Sequence, residues 1–500
     1  MCAICGIQGK EVSRNLQSML KTLKHRGPDG CGVFVDGEFS YGNVDEITVP
    51  EGSFGLGHNL LSIVGSEGLQ PLHNHGLVLI CNGEIYNYHE LEKEFKVDLQ
   101  SDSDCETIIA LIHKFYRGSL YTAVSETIKH LDGDYAFAVY DGKNTAVIRD
   151  PLGVKPVYYG LDPDKNISAF ASERKALWKI GMGEIKTLPP GCMLYNWKIK
   201  KLDYNLKTIL QNHDSRTLQN HDSRTNMEDK KISDNTYKNY LKNELKTSLI
   251  ESVKKRVRGL SEVGVMFSGG VDSTILAQLS HDLGVETTLY SVGHEDSDDF
   301  KFAQKSAEDM GLPIRLQKVT VEDVRNYLPP VLNAIEEFNL MKLGVGMPAY
   351  IAAEMAKFDG IRVMLSGQGA DELFAGYHRY LEFYQNMGED AIEHLKEDIF
   401  NLYRVNLQRD DQATMAHGVE LRVPYLDVDV INMAIDIPMK YKITGSSDLL
   451  RKRILREVAQ EMGVPLMNVK RPKKAAQYGS GIDKMIRRIL RQEKIDYRKF

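Results

Sequence analysis

The chain has 500 residues and a formal net charge of −6, with 42% hydrophobic and 26% charged residues, which is ordinary for globular proteins and predicts two to four domains. No apolar run is long enough to span a bilayer, the N-terminus lacks the pattern of a secretory signal, and the small net charge gives no signature of nucleic-acid binding. The six cysteines all lie at or before Cys192, and reduced thiols explain them better than a disulfide framework, so we expect a cytoplasmic protein without membrane or nucleic-acid partners.

The first part of the chain mixes strands with helices. Short apolar runs rich in β-branched or aromatic residues predict strands over 77–83, 135–141 and 145–149. Apolar residues at helical spacing predict helices over 87–95 and 104–116. This mixture indicates an α+β layer fold for a first domain that we bound at residues 1–202.

A polar segment follows over residues 203–235. Inside it, the octapeptide Leu-Gln-Asn-His-Asp-Ser-Arg-Thr occurs at 210–217 and again at 218–225. A repeat with so little apolar content cannot bury a core, so we predict a duplicated linker without a catalytic role.

The last part of the chain, residues 236–500, alternates strands with helices. Apolar residues recurring every four positions between Leu241 and Val257 predict an amphipathic helix. The elements predicted after it are strands over 263–267, 287–292, 314–319 and 362–365, with helices over 273–283 and near 300–310. Such alternation predicts an α/β parallel sheet with helices on both faces, whose ligands bind at the carboxyl ends of the strands.

Residues 268–273, Ser-Gly-Gly-Val-Asp-Ser, lie where a predicted strand meets a helix. Free backbone N–H groups and the helix dipole make such a junction an anion site, and Gly269 and Gly270 let the backbone approach an oxyanion closely. A bare phosphate would repel Asp272, so this residue predicts a bridging Mg²⁺. An ordinary strand-to-helix turn with a capping Asp is the alternative.

A second loop of this kind covers residues 366–372, Ser-Gly-Gln-Gly-Ala-Asp-Glu, again directly after a predicted strand. It adds another close approach of the backbone and another acid, Asp371. Since adjacent strand ends meet at one edge of a parallel sheet, Asp272 and Asp371 are candidates to hold one Mg²⁺ together.

Cys2 follows an initiator methionine that is normally removed. Its thiol would then lie beside its own α-amine, which can act as general base, although a small buried cysteine is equally open from position alone. Asn82 and the N–H of Gly83 suit an oxyanion hole, and Glu84 and Asp104 are carboxylates that could bind the ammonium group of an amino acid. For Asp104, a helix N-cap is the alternative.

These residues, with motifs at 25–29 (His-Arg-Gly-Pro-Asp) and 149–153 (Arg-Asp-Pro-Leu-Gly), resemble class II glutamine amidotransferase domains, which have an N-terminal-nucleophile hydrolase fold. The resemblance implies an α+β sandwich in which Cys2 is the nucleophile and Asn82 and Gly83 are the oxyanion donors. The residues that it assigns to glutamine are Leu61, Ser62, Ile63, Val64, Glu84 and Asp104.

The two glycine loops resemble those of ATP pyrophosphatases, and together with residues 418–427 they resemble glutamine-hydrolysing asparagine synthetases. That family uses ATP to adenylate the side-chain carboxylate of aspartate, and ammonia then displaces AMP. The resemblance implies that Lys473 neutralises charge on the reacting phosphate and that position 368 takes part in forming the intermediate. The residues that it assigns to ATP are Phe267, Ser268, Gly269, Gly270, Asp272, Ser273, Val292, Ser366 and Gly367.

The sequence departs from the family at three places. Leu60 stands where the family has an arginine that binds the glutamine carboxylate. Without that arginine, glutamine binding should be weaker by about 1.5–3 kcal/mol unless another cation compensates. Gln368 replaces a glutamate and cannot act as a carboxylate base. The acceptor-binding stretch, residues 339–348, has Lys342 as its one cation, so aspartate is the expected acceptor but another acid stays open.

Three functions are therefore compared. The first is glutamine-dependent asparagine synthesis with ATP and Mg²⁺. A homodimer is compatible with this function, but the function does not require one. The second is an amidotransferase or cyclising synthetase that acts on another small carboxylic acid. The third is a non-catalytic regulatory protein that binds nucleotide or glutamine. An RNA-modifying pyrophosphatase lacks support, because no added RNA-binding module is recognisable.

Overall fold

The structure is a computed structural model, and its two compact units comprise residues 1–209 with 415–418 and residues 210–414 with 419–500. The residues that it describes are 2–63, 68–101, 103–210, 233–295, 297–473 and 480–493. Val64 and all of the tandem octapeptide except Leu210 lie outside the described residues. Among the described helices, none combines the length and the apolar content that crossing a membrane requires.

The first unit contains thirteen described strands and, before residue 203, five described α-helices. Its strands are β1 (Ala3–Gly9), β2 (Gly30–Val35), β3 (Glu38–Gly42), β4 (Phe54–Leu60), β5 (Leu72–Asn74), β6 (Leu77–Ile85), β7 (Gly133–Tyr140), β8 (Thr145–Arg149), β9 (Tyr158–Asp162), β10 (Ile167–Ala171), β11 (Lys186–Thr187), β12 (Cys192–Tyr195) and β13 (Lys198–Lys201). Its helices are α1 (Val12–Thr22), α2 (Tyr88–Phe95), α3 (Glu106–Phe115), α4 (Leu120–Thr127) and α5 (Arg174–Lys179).

These strands form two antiparallel sheets, one in the order β11-β9-β10-β1-β4-β2-β3 and one in the order β13-β12-β8-β7-β6-β5. Side chains alternate across a strand, so each sheet has two faces, and central strands such as β4 and β7 bury both of them. Ile4 and Leu56 of the first sheet pack against Ile80 and Ala136 of the second. The outer faces are covered by α1 and α5 on one side and by α3 and α4 on the other. The predicted α+β sandwich is confirmed as four layers.

The second unit is built on a five-stranded sheet in the order β16-β15-β14-β17-β18, with every neighbouring pair parallel. The strands are β14 (Glu262–Met266), β15 (Glu286–Gly293), β16 (Ile314–Lys318), β17 (Val363–Leu365) and β18 (Glu420–Arg422). The predicted parallel α/β sheet is thus confirmed, and β18 is an edge strand that the sequence patterns did not reveal.

The described helices of this unit surround the sheet. They are α6 (Asp234–Val257), α7 (Val271–Asp282), α8 (Asp298–Met310), α9 (Val321–Ile335), α10 (Leu340–Phe358), α11 (Ala370–Leu373), α12 (Arg379–Met387), α13 (Ile392–Leu402), α14 (Gln408–Met415), α15 (Val428–Asp436), α16 (Met439–Lys442), α17 (Arg453–Glu461), α18 (Leu466–Val469) and α19 (Ile482–Gln492). Tyr403–Leu407 forms a π-helical turn that leads into α14.

The strand order of this sheet determines where a ligand can bind. From β14, the chain adds β15 and β16 on one side and later adds β17 and β18 on the other. A crevice forms outside the carboxyl ends of strands where the direction of winding reverses, which here is between β14 and β17. The loops that follow these two strands are the glycine loops at 268–273 and 366–372, so the topology brings both to one place.

Candidate active sites

Strand alternation brings Cys2 and Asn82 together in the first unit. Ile4 on β1 and Ile80 on β6 both point between the two sheets. Cys2 and Asn82 lie two residues from them and therefore share that inner side. The backbone nitrogen of Cys2, which is the predicted α-amine, donates a hydrogen bond of 3.0 Å to Asn82 Oδ1.

The side-chain amide of Asn82 includes a hydrogen-bond donor that a substrate could use. Its side chain is fully buried, and Nδ2 has no partner among the described residues. A buried donor without a partner costs about 1–3 kcal/mol, so this nitrogen is poised for an acceptor that arrives with the substrate. Gly83 is required beside it, because a Cβ there would lie 2.6 Å from the carbonyl oxygen of Asp134 on β7.

The two carboxylates expected to bind the substrate amine lie close together. Asp104 precedes α3 and is not its N-cap; Oδ2 instead accepts a 2.6 Å hydrogen bond from the backbone N–H of Ile85. Burial and the neighbouring charge of Glu84 raise the pKa of Asp104 to about 7. A cation bound between Glu84 and Asp104 would relieve that repulsion, as an α-ammonium group does.

A buried charge cluster that local sequence patterns did not reveal fixes the backbone of Cys2. Arg26 is fully buried, and its Nε donates to the carbonyl oxygen of Cys2 at 3.3 Å while Nη1 lies 2.9 Å from Glu173. His25 and Lys175 also contact Glu173, at 2.9 and 3.0 Å. Burial alone would raise the pKa of Glu173, but its contacts with His25, Lys175 and Arg26 outweigh burial and hold the pKa well below its usual range.

The other residues predicted to bind glutamine follow β4. Leu61 is buried, and the backbone N–H of Ser62 donates to Asp29 at 2.9 Å, which ties this segment to the turn at 25–29. Ile63 is half-buried beside Leu61. Leu60 is 7% exposed, and its side chain lies close to Gly68.

In the second unit, the loop after β14 has the geometry of an anion cradle. Gly269 has a φ of +69°, which favours glycine, and Gly270 caps α7. The backbone N–H of Gly270 donates to Ser268 Oγ at 3.3 Å, and Ser273 Oγ donates to the carbonyl of Gly270 at 3.2 Å. Arg471 supports the loop from outside by donating to the carbonyl of Ser268 at 2.6 Å.

A cavity of about 220 Å³ opens beside this loop. The predicted residues that line it are Phe267, Ser268, Asp272, Ser273, Val292, Ser366, Gly367, Gln368, Asp371 and Lys473. Gly269 and Gly270 shape the loop without lining the cavity. The cavity also includes residues that sequence reasoning did not assign, among them Tyr290, Asp299, Ala352 and Asp410.

Two lysines join the acids at the cavity. Lys452, which is fully buried, contacts Asp272 at 2.6 Å and Asp371 at 2.7 Å, and Lys473 contacts the other oxygen of Asp371 at 2.8 Å. Burial alone would raise the pKa of Asp371, but the two ammonium groups outweigh it and hold the pKa well below its usual range. A Cβ on Gly376 would collide with Asp371 and with Lys452, so only glycine fits against this cluster.

The donor set at this cluster fits Mg²⁺. Carboxylate oxygens are hard ligands, and Mg²⁺ in nucleotide sites is typically held by one or two carboxylates together with substrate phosphates. Asp272 Oδ1 is buried without a hydrogen-bond partner among the described residues, which leaves it available to a cation. Because Lys452 already lies between Asp272 and Asp371, a metal ion would share both acids with it.

The remaining predicted positions divide between the cavity and its surroundings. Gln368 lines the cavity and is hydrogen-bonded to Asp410 at 2.5 Å. Within the stretch 339–348, Val345 and Pro348 reach the cavity. Lys342 does not, because its ammonium group contacts Glu337 at 2.6 Å and the carbonyl of Arg404 at 2.9 Å.

Comparison with known proteins covers both units. Residues 1–188 match the family model of a glutamine amidotransferase domain, and residues 244–395 and 385–498 match the family model of asparagine synthase. A protein of Methanocaldococcus jannaschii, whose name marks it provisionally as a glutamine-hydrolysing asparagine synthetase, is 41% identical over 98% of this chain and 96% of its own. The glutamine-hydrolysing asparagine synthetase B of Escherichia coli is 30% identical over 91% of this chain and 78% of its own.

Among solved structures, a glutamine phosphoribosylpyrophosphate amidotransferase from B. subtilis aligns with 63% of this chain and 65% of its own. The TM-score is 0.37 at 21% sequence identity. A likeness of that strength adds nothing to the sequence matches, which carry the family assignment alone.

Proposed function

Because this chain belongs to the family of glutamine-hydrolysing asparagine synthetases, we propose that it forms asparagine from aspartate, with glutamine as the nitrogen donor and ATP as the activating substrate. The observation that carries the proposal is the cavity at the ends of β14 and β17, where an anion loop, two acids and two lysines meet. Adenylation brings a negatively charged carboxylate against a negatively charged triphosphate and then releases pyrophosphate. Cations and an anion-binding loop at one place stabilise that negative charge.

Glutamine hydrolysis is assigned to the first unit. The α-amine of Cys2 takes the thiol proton, and the sulfur attacks the side-chain carbonyl of glutamine. Asn82 Nδ2 and the N–H of Gly83 then donate to the oxyanion, and its collapse breaks the C–N bond while the α-ammonium group returns its proton to the leaving nitrogen, so that ammonia departs as the thioester forms. Water then attacks the thioester, which releases glutamate and restores the thiol of Cys2. Glu84 and Asp104 hold the substrate ammonium group. Arg26 keeps the backbone of Cys2 in place through its bond to the carbonyl oxygen.

Adenylation is assigned to the cavity of the second unit. A carboxylate oxygen of aspartate attacks the α-phosphorus of ATP, and the bond to the bridging oxygen breaks, with its electron pair leaving on pyrophosphate. Lys473 and Lys452 balance the charge of the phosphates, and the loop at 268–273 binds the departing pyrophosphate. Mg²⁺, for which Asp272 and Asp371 are the proposed ligands, supplies Lewis-acid neutralisation of phosphate charge when bound.

Location and assembly are part of the same proposal. The six cysteines are free and buried, which suits the reducing cytoplasm where aspartate, glutamine and ATP are at hand. A homodimer stays a prediction that the molecular mass in solution would test.

The proposal is tested by incubating the purified protein with ATP, Mg²⁺, glutamine and a panel of small carboxylic acids. We expect AMP and pyrophosphate to appear with aspartate, together with asparagine. Release only with a different acid would favour the second function, an amidotransferase or cyclising synthetase. Release with none of the acids would favour a regulatory protein that binds these ligands without catalysis.

A further inference from the structure

The two lysines that contact the acids of the second unit are placed differently. Lys452 is fully buried, and its Nζ lies 2.6 Å from Asp272 Oδ2 and 2.7 Å from Asp371 Oδ1. Lys473 contacts Asp371, keeps 17% of its side chain exposed and lines the cavity, whereas Lys452 is not among the described residues that line it. Lys452 therefore bridges the two acids from within the protein.

The backbone before α17 is built to present this lysine. Arg451 and Lys452 have φ angles of +53° and +51°, a left-handed conformation that side-chain-bearing residues rarely adopt. Asp448 accepts the backbone N–H groups of Leu450 and Arg451, each at 3.0 Å. Arg456 donates to the carbonyl oxygens of the same two residues, each at 2.8 Å. Strain of this kind persists only where the surroundings determine the conformation, so the fold fixes the place of Lys452.

The side chain of Lys452 is packed as closely as its backbone is held. A Cβ on Gly376 would lie 2.4 Å from Lys452 Cε and 1.8 Å from Asp371 Oδ1. The backbone N–H of Gly376 donates to the carbonyl of Asp371 at 2.7 Å, which fixes this turn beside the acid. The turn therefore holds the ammonium group against the carboxylates.

The charges in direct contact at this cluster balance. Asp272 and Asp371 are each paired with an ammonium group, from Lys452 for both acids and from Lys473 for the second. A divalent cation that arrives alone gains the attraction of the acids and meets the repulsion of two ammonium groups at similar range. The phosphates of ATP bring further negative charge, which removes that disadvantage.

Other charged groups near the cluster leave this balance in place. Glu372 follows Asp371, and its Oε1 accepts the hydroxyl of Tyr377 at 2.9 Å. Arg451 and Arg456 add positive charge whose field reaches Asp371 and Asp272 respectively. The cluster is therefore poorly suited to bind a bare divalent cation.

We propose that Lys452 is a positioning residue that holds Asp272 and Asp371 as a built-in cation and thereby makes their uptake of a divalent metal depend on ATP. The inference rests on the proposed function, which assigns Mg²⁺ to these two acids. Asp272 Oδ1 is buried without a hydrogen-bond partner among the described residues, and it is the oxygen that Lys452 leaves to the metal. Metal and nucleotide then bind as one unit.

Mn²⁺ binding, followed by electron paramagnetic resonance on the purified protein, tests this without turnover. We expect the wild type to bind Mn²⁺ weakly without nucleotide, and a protein-bound Mn²⁺ signal to appear with a non-hydrolysable ATP analogue. K452M should bind Mn²⁺ without nucleotide at least about tenfold more tightly, because an ammonium group no longer opposes the metal. A lysine that merely supported the fold would give the opposite change.

Further variants separate the metal site from general damage. D272N/K452M should lose the gained affinity, and K440M, which breaks a surface pair with Asp234, should bind Mn²⁺ like the wild type. Mn²⁺ should raise the Tm of K452M and leave that of the wild type unchanged. K452Q repeats the test with a polar side chain if K452M fails to fold.

Two results would overturn the inference. One is tight Mn²⁺ binding by the wild type without nucleotide, and the other is Mn²⁺ affinity in K452M or K452Q no higher than in the wild type. None of these measurements uses aspartate or follows asparagine. A wild type that makes no asparagine would instead overturn the proposed function itself.

Discussion

The two proposed sites differ in how their acidic residues are paired. In the first unit, burial and the charge of Glu84 raise the pKa of Asp104 to about 7, so this site favours an incoming cation. In the second unit, Lys452 and Lys473 bind Asp371 and hold its pKa well below its usual range, so the acids of this cluster stay ionised and are paired with ammonium groups. The first site therefore offers two neighbouring acids to the proposed ammonium group of glutamine, whereas the second offers acids already paired with lysines beside the proposed place of ATP.

The largest effect is expected from C2A, which removes the proposed nucleophile of the first unit and leaves the proposed adenylation site of the second unit intact. Removing the nucleophile should abolish glutamine-dependent asparagine formation, since the thioester cannot form. Synthesis from added ammonia should continue at the wild-type rate. C5A is the matched control, because Cys5 is fully buried and burial raises the pKa of its thiol. Glutamine use that survives C2A would show that the nucleophile is misassigned.

K473M tests the proposed adenylation site of the second unit. Removing one of the two ammonium groups leaves Asp371 with a single cation beside the phosphates, and we expect aspartate-dependent pyrophosphate release to fall on the order of 10³-fold. Glutamine hydrolysis, followed as glutamate production, should persist. K238M is a control that removes a lysine from a surface pair with Glu457. Equal loss of both activities in K473M would point to misfolding, which the Tm reports.

A pH series sharpens the comparison at the first site. The pKa of Asp104 is raised, so this carboxyl is neutral below about pH 7 in the free enzyme and ionised above it. Because the ionised form binds the ammonium group, KM for glutamine should rise about tenfold for each pH unit below 7 and level off above it. KM for ATP should not follow this profile. D104N should flatten the dependence at a uniformly higher KM.

L60R has the smallest expected effect and the opposite sign. An arginine at this position would restore a charge-assisted contact to the glutamine carboxylate, worth about 1.5–3 kcal/mol, so KM for glutamine should fall at least about tenfold. The gain is reduced if burial at the 7% exposed position of Leu60 costs the new side chain its hydration. A KM that stays constant while the Tm is retained would mean that another cation already binds this carboxylate.

Local sequence patterns predicted those parts of both sites that depend on neighbouring residues. The loop at 268–273 joins strand, glycines, hydroxyls and acid in six positions, and Asn82, Gly83 and Glu84 are consecutive residues at the end of a predicted strand. The same patterns predicted the layered sandwich and the parallel sheet, because apolar periodicity is also local.

The residues that sequence reasoning missed act over long separations. Lys452 reaches Asp272 across 180 positions, and Glu173 reaches Arg26 across 147. No local pattern marks either partner, since a lysine in a basic stretch or a glutamate before a short helix is common. Asp410 was missed for the same reason, and only the fold shows that it holds Gln368, the position at which the chain departs from its family.

The central claim, that two sites with differently paired acids feed one reaction, is tested most directly by following the amide nitrogen. The purified protein is given ATP, Mg²⁺, aspartate and glutamine labelled with ¹⁵N at the side-chain amide, and asparagine, glutamate, AMP and pyrophosphate are measured together. We predict ¹⁵N-labelled asparagine in equal amounts with AMP and pyrophosphate, and no label in asparagine from C2A supplied with unlabelled ammonia. Glutamate formed without labelled asparagine, or pyrophosphate released without aspartate, would contradict the account.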